Sequence, residues 1–265
     1  MNKTTHNSLG QHFLAALTGP TVTEIERELI LKHKVLGFTL YARNITEKKQ
    51  VIELNKELQS LAKQVGHTLI LAVDQEGGWR VARLKFPEFH ETPPMRDIGY
   101  RFEETKDLSE IQSTAKLIAR DVKTAGFNLN YVPLVDVDLN PSNPIIGDRA
   151  FSNKPETIIA LAREMIRAHT DQNILTTLKH FPGHSNTSVD SHLELPSDPR
   201  TLDDLKQCDL VPYYQLLTTN DKLAIMTAHV MFPNIDPNCP ATLSEFFIQK
   251  LLRQTMKYSG VILSD

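Results

Sequence analysis

The chain has 265 residues, of which 40% are hydrophobic and 7% aromatic, enough for one large core or two small ones. The formal net charge is −3, and Lys and Arg are spread along the chain, which argues against a nucleic-acid-binding protein. The apolar run 13–17 is too short for the core of a signal peptide, and no run reaches the length of a membrane span. The two cysteines, Cys208 and Cys239, are too few for a disulfide framework and predict reduced thiols in the cytoplasm.

Short apolar runs alternate along the chain with segments of helical spacing. Apolar residues repeat at helical intervals over 51–61 and 111–122, and Thr23 with Glu26 has the spacing of a capping box. No Ser/Gly linker divides the sequence, so we predict one α/β domain over residues 1–265 with a parallel sheet. The predicted strands are 13–17, 37–41, 68–73, 129–135, 174–178, 223–228 and 260–264.

Polar residues follow the apolar runs one after another. They lie at 74–78, 136–149 and 179–192, at His229 and at Asp265, each behind a different predicted strand. An open doubly wound sheet would concentrate such residues at one switch point, whereas a barrel assembles its site from many strand ends. The pattern therefore favours a (β/α)8 TIM-type barrel.

The segment "DQEGG" at 74–78 combines acids with two glycines, which let a ligand approach the backbone closely. This combination suits a hydroxyl-rich ligand, although a polar turn after a strand would look the same. Arg149 follows Asp148 directly, and an arginine held by a neighbouring acid is more often structural than catalytic.

The segment "KHFPGHSNTSVDSH" at 179–192 gathers three histidines, a lysine and an aspartate, and three interpretations of it compete. A zinc site could use ligands from the set His180, His184, Asp190 and His192, but no HxH or HExxH pattern supports it. Alternatively, Asp190 and His192 would point the same way from extended backbone, so the acid could orient the imidazole for proton transfer, with Asp265 as a third member. A solvated loop without chemistry is the third interpretation.

A family resemblance favours proton transfer. The chain contains, in order, the segments "LGFTLYARNI", "AVDQEGG", "AGFNLNYVPLVDVDLNPSNPIIGDRAF", "KHFPGH", "DSHLELP", "IMTAHVMFPNID", "PATLS" and "GVILSD". In these it resembles the glycoside hydrolase family 3 β-N-acetylglucosaminidases of bacterial peptidoglycan recycling. The resemblance implies a cytoplasmic (β/α)8-barrel enzyme that releases terminal GlcNAc from muropeptides with retention of configuration, without metal or organic cofactor.

The resemblance also implies roles for individual residues. Asp265 would be the nucleophile, and His192, oriented by Asp190, the general acid/base. The residues expected to hold the sugar hydroxyls are Asp74, Arg149, Lys179 and His180.

Members of this family continue past the final "SD" into an eighth strand and a closing helix. We therefore expect a barrel truncated after its seventh strand at Asp265. A second hypothesis follows, in which the chain is an inactive fragment or a carbohydrate-binding relative of the same fold.

Overall fold

The structure is a computed structural model, and it describes residues 9–85, 87–140, 142–184, 186–187, 195–217 and 223–265. Over these residues the strands are β1 (Leu14–Ala16), β2 (Gly37–Leu40), β3 (Ile70–Val73), β4 (Gln75–Gly77), β5 (Val81–Ala82), β6 (Leu129–Asn130), β7 (Leu175–Phe181), β8 (Leu223–Thr227) and β9 (Ile262–Ser264).

Seven of these strands form one parallel sheet, in the order β1-β2-β3-β6-β7-β8-β9. Each sheet neighbour is thus the next sheet strand along the chain, which is the order of a β/α barrel. All seven predicted strands are confirmed. The predicted strand 129–135 forms regular strand pairing only over Leu129–Asn130. Pro133 has no N–H to donate, and beyond it one isolated bridge, from Leu134 to Lys179, continues the pairing.

The sheet curls so that its two edge strands share an inner cluster. Leu14 of β1 and Leu263 of β9 both pack against buried residues of the middle strands, including Ala72 and Met226. Residues one position away on the same strands, such as Leu71, face a second and larger cluster, because successive side chains of a strand alternate between its faces. The predicted barrel architecture is confirmed as an open, seven-stranded sheet with β1 and β9 at its edges.

Helices connect the strands and cover the outer face of the sheet. They are α1 (Glu24–Leu31), α2 (Lys48–Gln64), α3 (Met95–Thr105), α4 (Ser109–Thr124), α5 (Pro155–Asp171), α6 (Leu202–Gln207), α7 (Leu210–Leu216) and a π-helix (Phe246–Thr255). The helical spacings at 51–61 and 111–122 fall in α2 and α4, where Val51, Leu58 and Ile118 join the outer cluster. Both helix predictions are confirmed.

Helix α1 begins at the predicted capping box. The Glu26 carboxylate accepts hydrogen bonds from the backbone N–H of Thr23 at 2.8 Å and from that of Thr18 at 2.9 Å. The buried Glu26 carboxylate thus provides hydrogen-bond acceptors for one N–H at the start of the helix and one in the loop that follows β1.

A short hairpin follows β3 immediately. Its strands β4 and β5 pair antiparallel, and the turn between them begins at Gly77 and Gly78, whose φ angles of 108° and 64° favour glycine. The hairpin places Asp74 at the point where the chain leaves the sheet.

In the part of the chain that the structure describes, no helix combines the length and apolar character needed to cross a lipid bilayer.

Candidate active site

A cavity of about 870 Å³ lies at the carboxyl ends of the sheet strands and extends into the gap between the two sheet edges. Asp74 reaches it from the end of β3, Lys179 and His180 from β7, and Asp265 from the residue after β9. Arg149 also lines it, from the loop between β6 and α5. The structure therefore brings five of the seven predicted site residues to one cavity. The other two, Asp190 and His192, lie outside the described residues.

Four charged side chains form a chain of alternating sign, which we call the charge chain: Asp74, Lys179, Glu76 and Arg149. Three of them line the cavity, and Glu76 lies buried behind its wall. The Lys179 Nζ lies 2.8 Å from Asp74 Oδ1 and 2.6 Å from Glu76 Oε1. Arg149 then donates to both oxygens of Glu76, from Nε at 2.8 Å and from Nη2 at 2.7 Å. Lys179 and Glu76 are each only 2% exposed, so water screens these contacts poorly.

The electrostatic surroundings keep Glu76 and Lys179 ionised. Burial by itself would raise the pKa of Glu76, but the Arg149 and Lys179 cations lower that pKa well below its usual range. Burial would likewise lower the pKa of Lys179, and the Asp74 and Glu76 carboxylates raise it instead. The site therefore presents fixed cations and anions at neutral pH.

A buried carboxylate orients His180. Asp136 Oδ2 lies 2.7 Å from His180 Nδ1 and accepts from the backbone N–H of His180 at 3.1 Å, while Oδ1 accepts from the backbone N–H of His184 at 2.8 Å. Burial opposes ionisation of Asp136, but His180 beside it holds the pKa of this carboxyl below its usual value. Because Asp136 is ionised, Nδ1 of His180 is a donor, and Nε2 is the ring nitrogen left for a ligand in the cavity.

His184 and His229 differ in their relation to the cavity. His184 is among the residues that line it, but its side chain is buried and its ring packs edge-to-face on His180 with 5.6 Å between centroids. Burial, with His180 close by, lowers the pKa of His184, which favours a neutral packing residue. His229 is half-buried after β8 and is not among the residues that line the cavity.

Asp265 is fixed by its backbone. Its N–H donates to the Thr227 carbonyl at 3.3 Å, which extends the β8–β9 pairing by one residue. The side chain is exposed at the cavity wall.

Sequence reasoning missed three residues at this site: Glu76, Asp136 and Arg83. Glu76 is two residues beyond Asp74, a spacing that places both acids on one side of extended backbone and could have signalled their shared partner. Arg83 lines the cavity, and its buried Nε has no hydrogen-bond partner among the described residues. The interpretation of Arg149 as the partner of its neighbour Asp148 is wrong, since Asp148 pairs with Arg80 at 3.1 Å and Arg149 pairs with Glu76.

Within the described ranges, no group of three His, Cys, Asp or Glu side chains is arranged to hold a metal ion. Two of the residues weighed as zinc ligands, Asp190 and His192, lie outside those ranges.

Comparison with known proteins gives one consistent result. The family model for the glycosyl hydrolase family 3 N terminal domain matches residues 8–265. The chain is 35% identical over 249 residues to a beta-hexosaminidase of Idiomarina loihiensis, an alignment that covers 94% of this chain and 72% of the relative. It is also 35% identical over 251 residues to beta-hexosaminidase A of Pseudoalteromonas piscicida, but there it spans 90% of this chain and only 42% of the relative's length.

Solved structures agree with the sequence relatives. The chain resembles NagZ from Neisseria gonorrhoeae in complex with N-trifluoroacetyl-D-glucosamine, with a TM-score of 0.86 and 32% identity. The match covers 95% of this chain and 73% of the NagZ chain.

Proposed function

The chain belongs to glycosyl hydrolase family 3, and on that basis we propose that it is a retaining exo-β-N-acetylglucosaminidase that releases terminal GlcNAc from peptidoglycan-derived muropeptides. The observation that supports this most directly is that three members of the charge chain and the Asp265 carboxylate line one cavity. Retaining hydrolysis requires a carboxylate nucleophile beside a sugar held in a fixed orientation, and these two features would supply both.

The charge chain suits a neutral sugar. A hydroxyl group both donates and accepts, so it can bridge a carboxylate such as Asp74 and a cation such as Lys179 without leaving a buried charge unpaired. Arg149 and the Nε2 of His180 would add donors or acceptors at the same wall. The related NagZ was solved with an N-acylated glucosamine, which supports a sugar of this class.

The proposed reaction has two displacements. The Asp265 carboxylate attacks the anomeric carbon as the bond to the leaving oxygen breaks, and His192 gives its proton to that oxygen. Water then attacks the glycosyl-enzyme, His192 takes a proton from it, and the bond to Asp265 breaks. Asp190 would orient the imidazole, which titrates near the operating pH and can serve in both steps.

The cellular setting is part of the proposal. Release of GlcNAc from muropeptides would place the protein in peptidoglycan recycling in the cytoplasm. The second candidate is a carbohydrate-binding relative without turnover. It would use the same charge chain and cavity, so only an activity measurement separates the two.

The test uses two substrates that differ only in their leaving group. His192→Ala should slow a chromogenic nitrophenyl β-GlcNAc glycoside far less than a natural disaccharide, because a good leaving group needs little protonation. Asp265→Asn should abolish turnover of both. The measurements are made on the 265-residue chain and on a version extended with the C-terminal part of a family member.

Three outcomes are informative. Equal losses on both substrates would give His192 a binding role instead of a proton-transfer role. Wild-type turnover of Asp265→Asn would refute the assignment of the nucleophile. Binding of GlcNAc without turnover in either chain would favour the carbohydrate-binding candidate.

A further inference from the structure

The point at which the chain leaves β3 is held by an asparagine side chain. Gln75, the first residue of β4, makes two hydrogen bonds with the Asn130 side chain: its N–H donates to Asn130 Oδ1 at 2.9 Å, and its carbonyl accepts from Nδ2 at 3.0 Å. Asn130 is the last residue of β6, and its backbone pairs with Val73, which lies two residues before Gln75 in the chain. The carboxamide thus continues the strand pairing to a residue that the backbone of β6 does not reach.

A buried histidine orients this carboxamide. His169 in α5 is fully buried, and its Nδ1 lies 2.8 Å from the Met165 carbonyl. A carbonyl only accepts, so Nδ1 carries the hydrogen and Nε2 is an acceptor, which lies 3.0 Å from Nδ2 of Asn130. The second amide hydrogen of Asn130 is thereby used, and a flip of the amide would break bonds at both of its ends.

Gln75 is also held from its other side. Its side chain donates from Nε2 to the Leu84 carbonyl at 3.0 Å and accepts from the Leu84 N–H at 2.8 Å. Four hydrogen bonds therefore fix one buried residue whose sequence neighbours, Asp74 and Glu76, are both acids of the charge chain.

From this arrangement we propose that Asn130 is a positioning residue for the sugar site: it sets where Asp74 and Glu76 stand relative to Lys179. The proposal rests on the proposed function, since it assigns a role in binding the sugar. Asn130 itself is fully buried and is not among the residues that line the cavity. Its effect must therefore pass through Gln75 to the two acids.

The chain offers a matched control. Asn128 also makes two side-chain hydrogen bonds to backbone at the start of β3, accepting from the Leu71 N–H at 2.7 Å and donating to the Leu69 carbonyl at 2.9 Å. These bonds lie at the opposite end of the strand from Asp74. Asn128→Ala thus removes two bonds of the kind that Asn130 makes to Gln75, without touching the charge chain, whereas Asn130→Ala also removes the bond to His169.

The experiment measures the dissociation constant of GlcNAc by calorimetry, and kcat and KM on the chromogenic GlcNAc glycoside. Asn130→Ala should weaken GlcNAc binding and lower kcat/KM by roughly ten- to a hundredfold, the loss expected when a binding group is misplaced by about 1 Å. Asn128→Ala should lower the melting temperature and leave both constants unchanged. Asn130→Asp keeps the volume but sets an oxygen against two acceptors, so it should weaken binding as well and serves if the alanine variant does not fold.

A double-mutant cycle separates positioning from general destabilisation. If Asn130 acts through the acids, Asn130→Ala should have a smaller effect in an Asp74→Ala background than in the wild type. Equal effects in the two backgrounds, or equal kinetic losses in the Asn128 and Asn130 variants, would overturn the proposal.

Asp74→Ala alone distinguishes this inference from the proposed function. If it leaves GlcNAc binding unchanged, the proposed sugar site is wrong. If it weakens binding while Asn130→Ala does not, only the positioning role is wrong.

Discussion

Glu76 offers a direct measurement of what burial contributes to an ion pair in this protein. Its fork with Arg149 joins Nε to Oε2 at 2.8 Å and Nη2 to Oε1 at 2.7 Å. Arg101 and Glu110 make the same fork with the same atoms, at 2.6 Å for both bonds, on the protein surface. The Glu76 side chain is 2% exposed and that of Glu110 is 37% exposed, so the two forks differ mainly in their surroundings.

Glu76→Gln should therefore be far more damaging than Glu110→Gln. It removes the anion between two buried cations, Arg149 and Lys179, and breaking a buried pair in this way costs about 3–5 kcal/mol. The exposed fork should contribute about 0–1 kcal/mol. Urea unfolding of both variants at neutral pH gives the two free-energy differences.

Salt provides a second readout. Added salt should reduce the small effect of Glu110→Gln and leave that of Glu76→Gln nearly unchanged, because buried pairs are screened less. Equal losses of stability in the two variants, with equal salt dependence, would refute the argument that burial strengthens the charge chain.

Three further predictions follow from single features. Burial lowers the pKa of His169 to about 4, below its unfolded value of 6.5. The contribution of neutral His169 to the free energy of unfolding should therefore be complete above pH 6.5 and fall by up to about 3 kcal/mol as the pH drops toward 4. Urea unfolding at pH 7 and 4.5 tests this, and His169→Gln should reduce the difference in stability between the two pH values. Gly99→Ala would put a Cβ 1.7 Å from the Phe151 carbonyl oxygen and should lower the melting temperature, whereas Gly19→Ala, which meets nothing within 4 Å, should not. Chelators should leave glycosidase activity unchanged, and loss of activity restored by zinc would contradict the proton-transfer mechanism.

The fold could be predicted from the sequence because its elements are marked locally. Each sheet strand is a short apolar run, and the spacing of Val51 and Leu58 or of Ile111 and Ile118 identifies the helices between them. The end of β6 was harder to place. Its apolar run continues past Asn130, and only the missing N–H of Pro133 signals that strand pairing is interrupted.

The sequence indicated residues of the candidate site, but it did not indicate which of the charged side chains form ion pairs with each other. Arg149 forms its ion pair with Glu76, which is 73 residues away in the sequence, and not with the adjacent Asp148. Asp148 in turn pairs with Arg80, at a separation of 68 residues. Such partners depend on how loops from different strand ends meet, which spacing along one segment does not encode.

The sequence indicates only weakly that the side chains of Asn128 and Asn130 bind the backbone of the neighbouring strand. Asn128 and Asn130 flank Leu129 where β-branched residues would be expected, and asparagine is unfavourable in strands unless its side chain makes specific bonds. Asparagines in a predicted strand therefore indicate side-chain bonds to the backbone of a neighbouring strand.

The alternation of sign within the charge chain has a consequence for how affinity depends on the medium. The formal charges of its two carboxylates and two cations sum to zero, so under the proposed function a site built on these four groups would hold a neutral hexopyranoside without displacing small ions from the protein. Affinity for GlcNAc should then be almost flat from low to high ionic strength, in contrast to a site that attracts its ligand by net charge. Such a protein would bind a neutral sugar equally well in dilute buffer and in the salt of a cell.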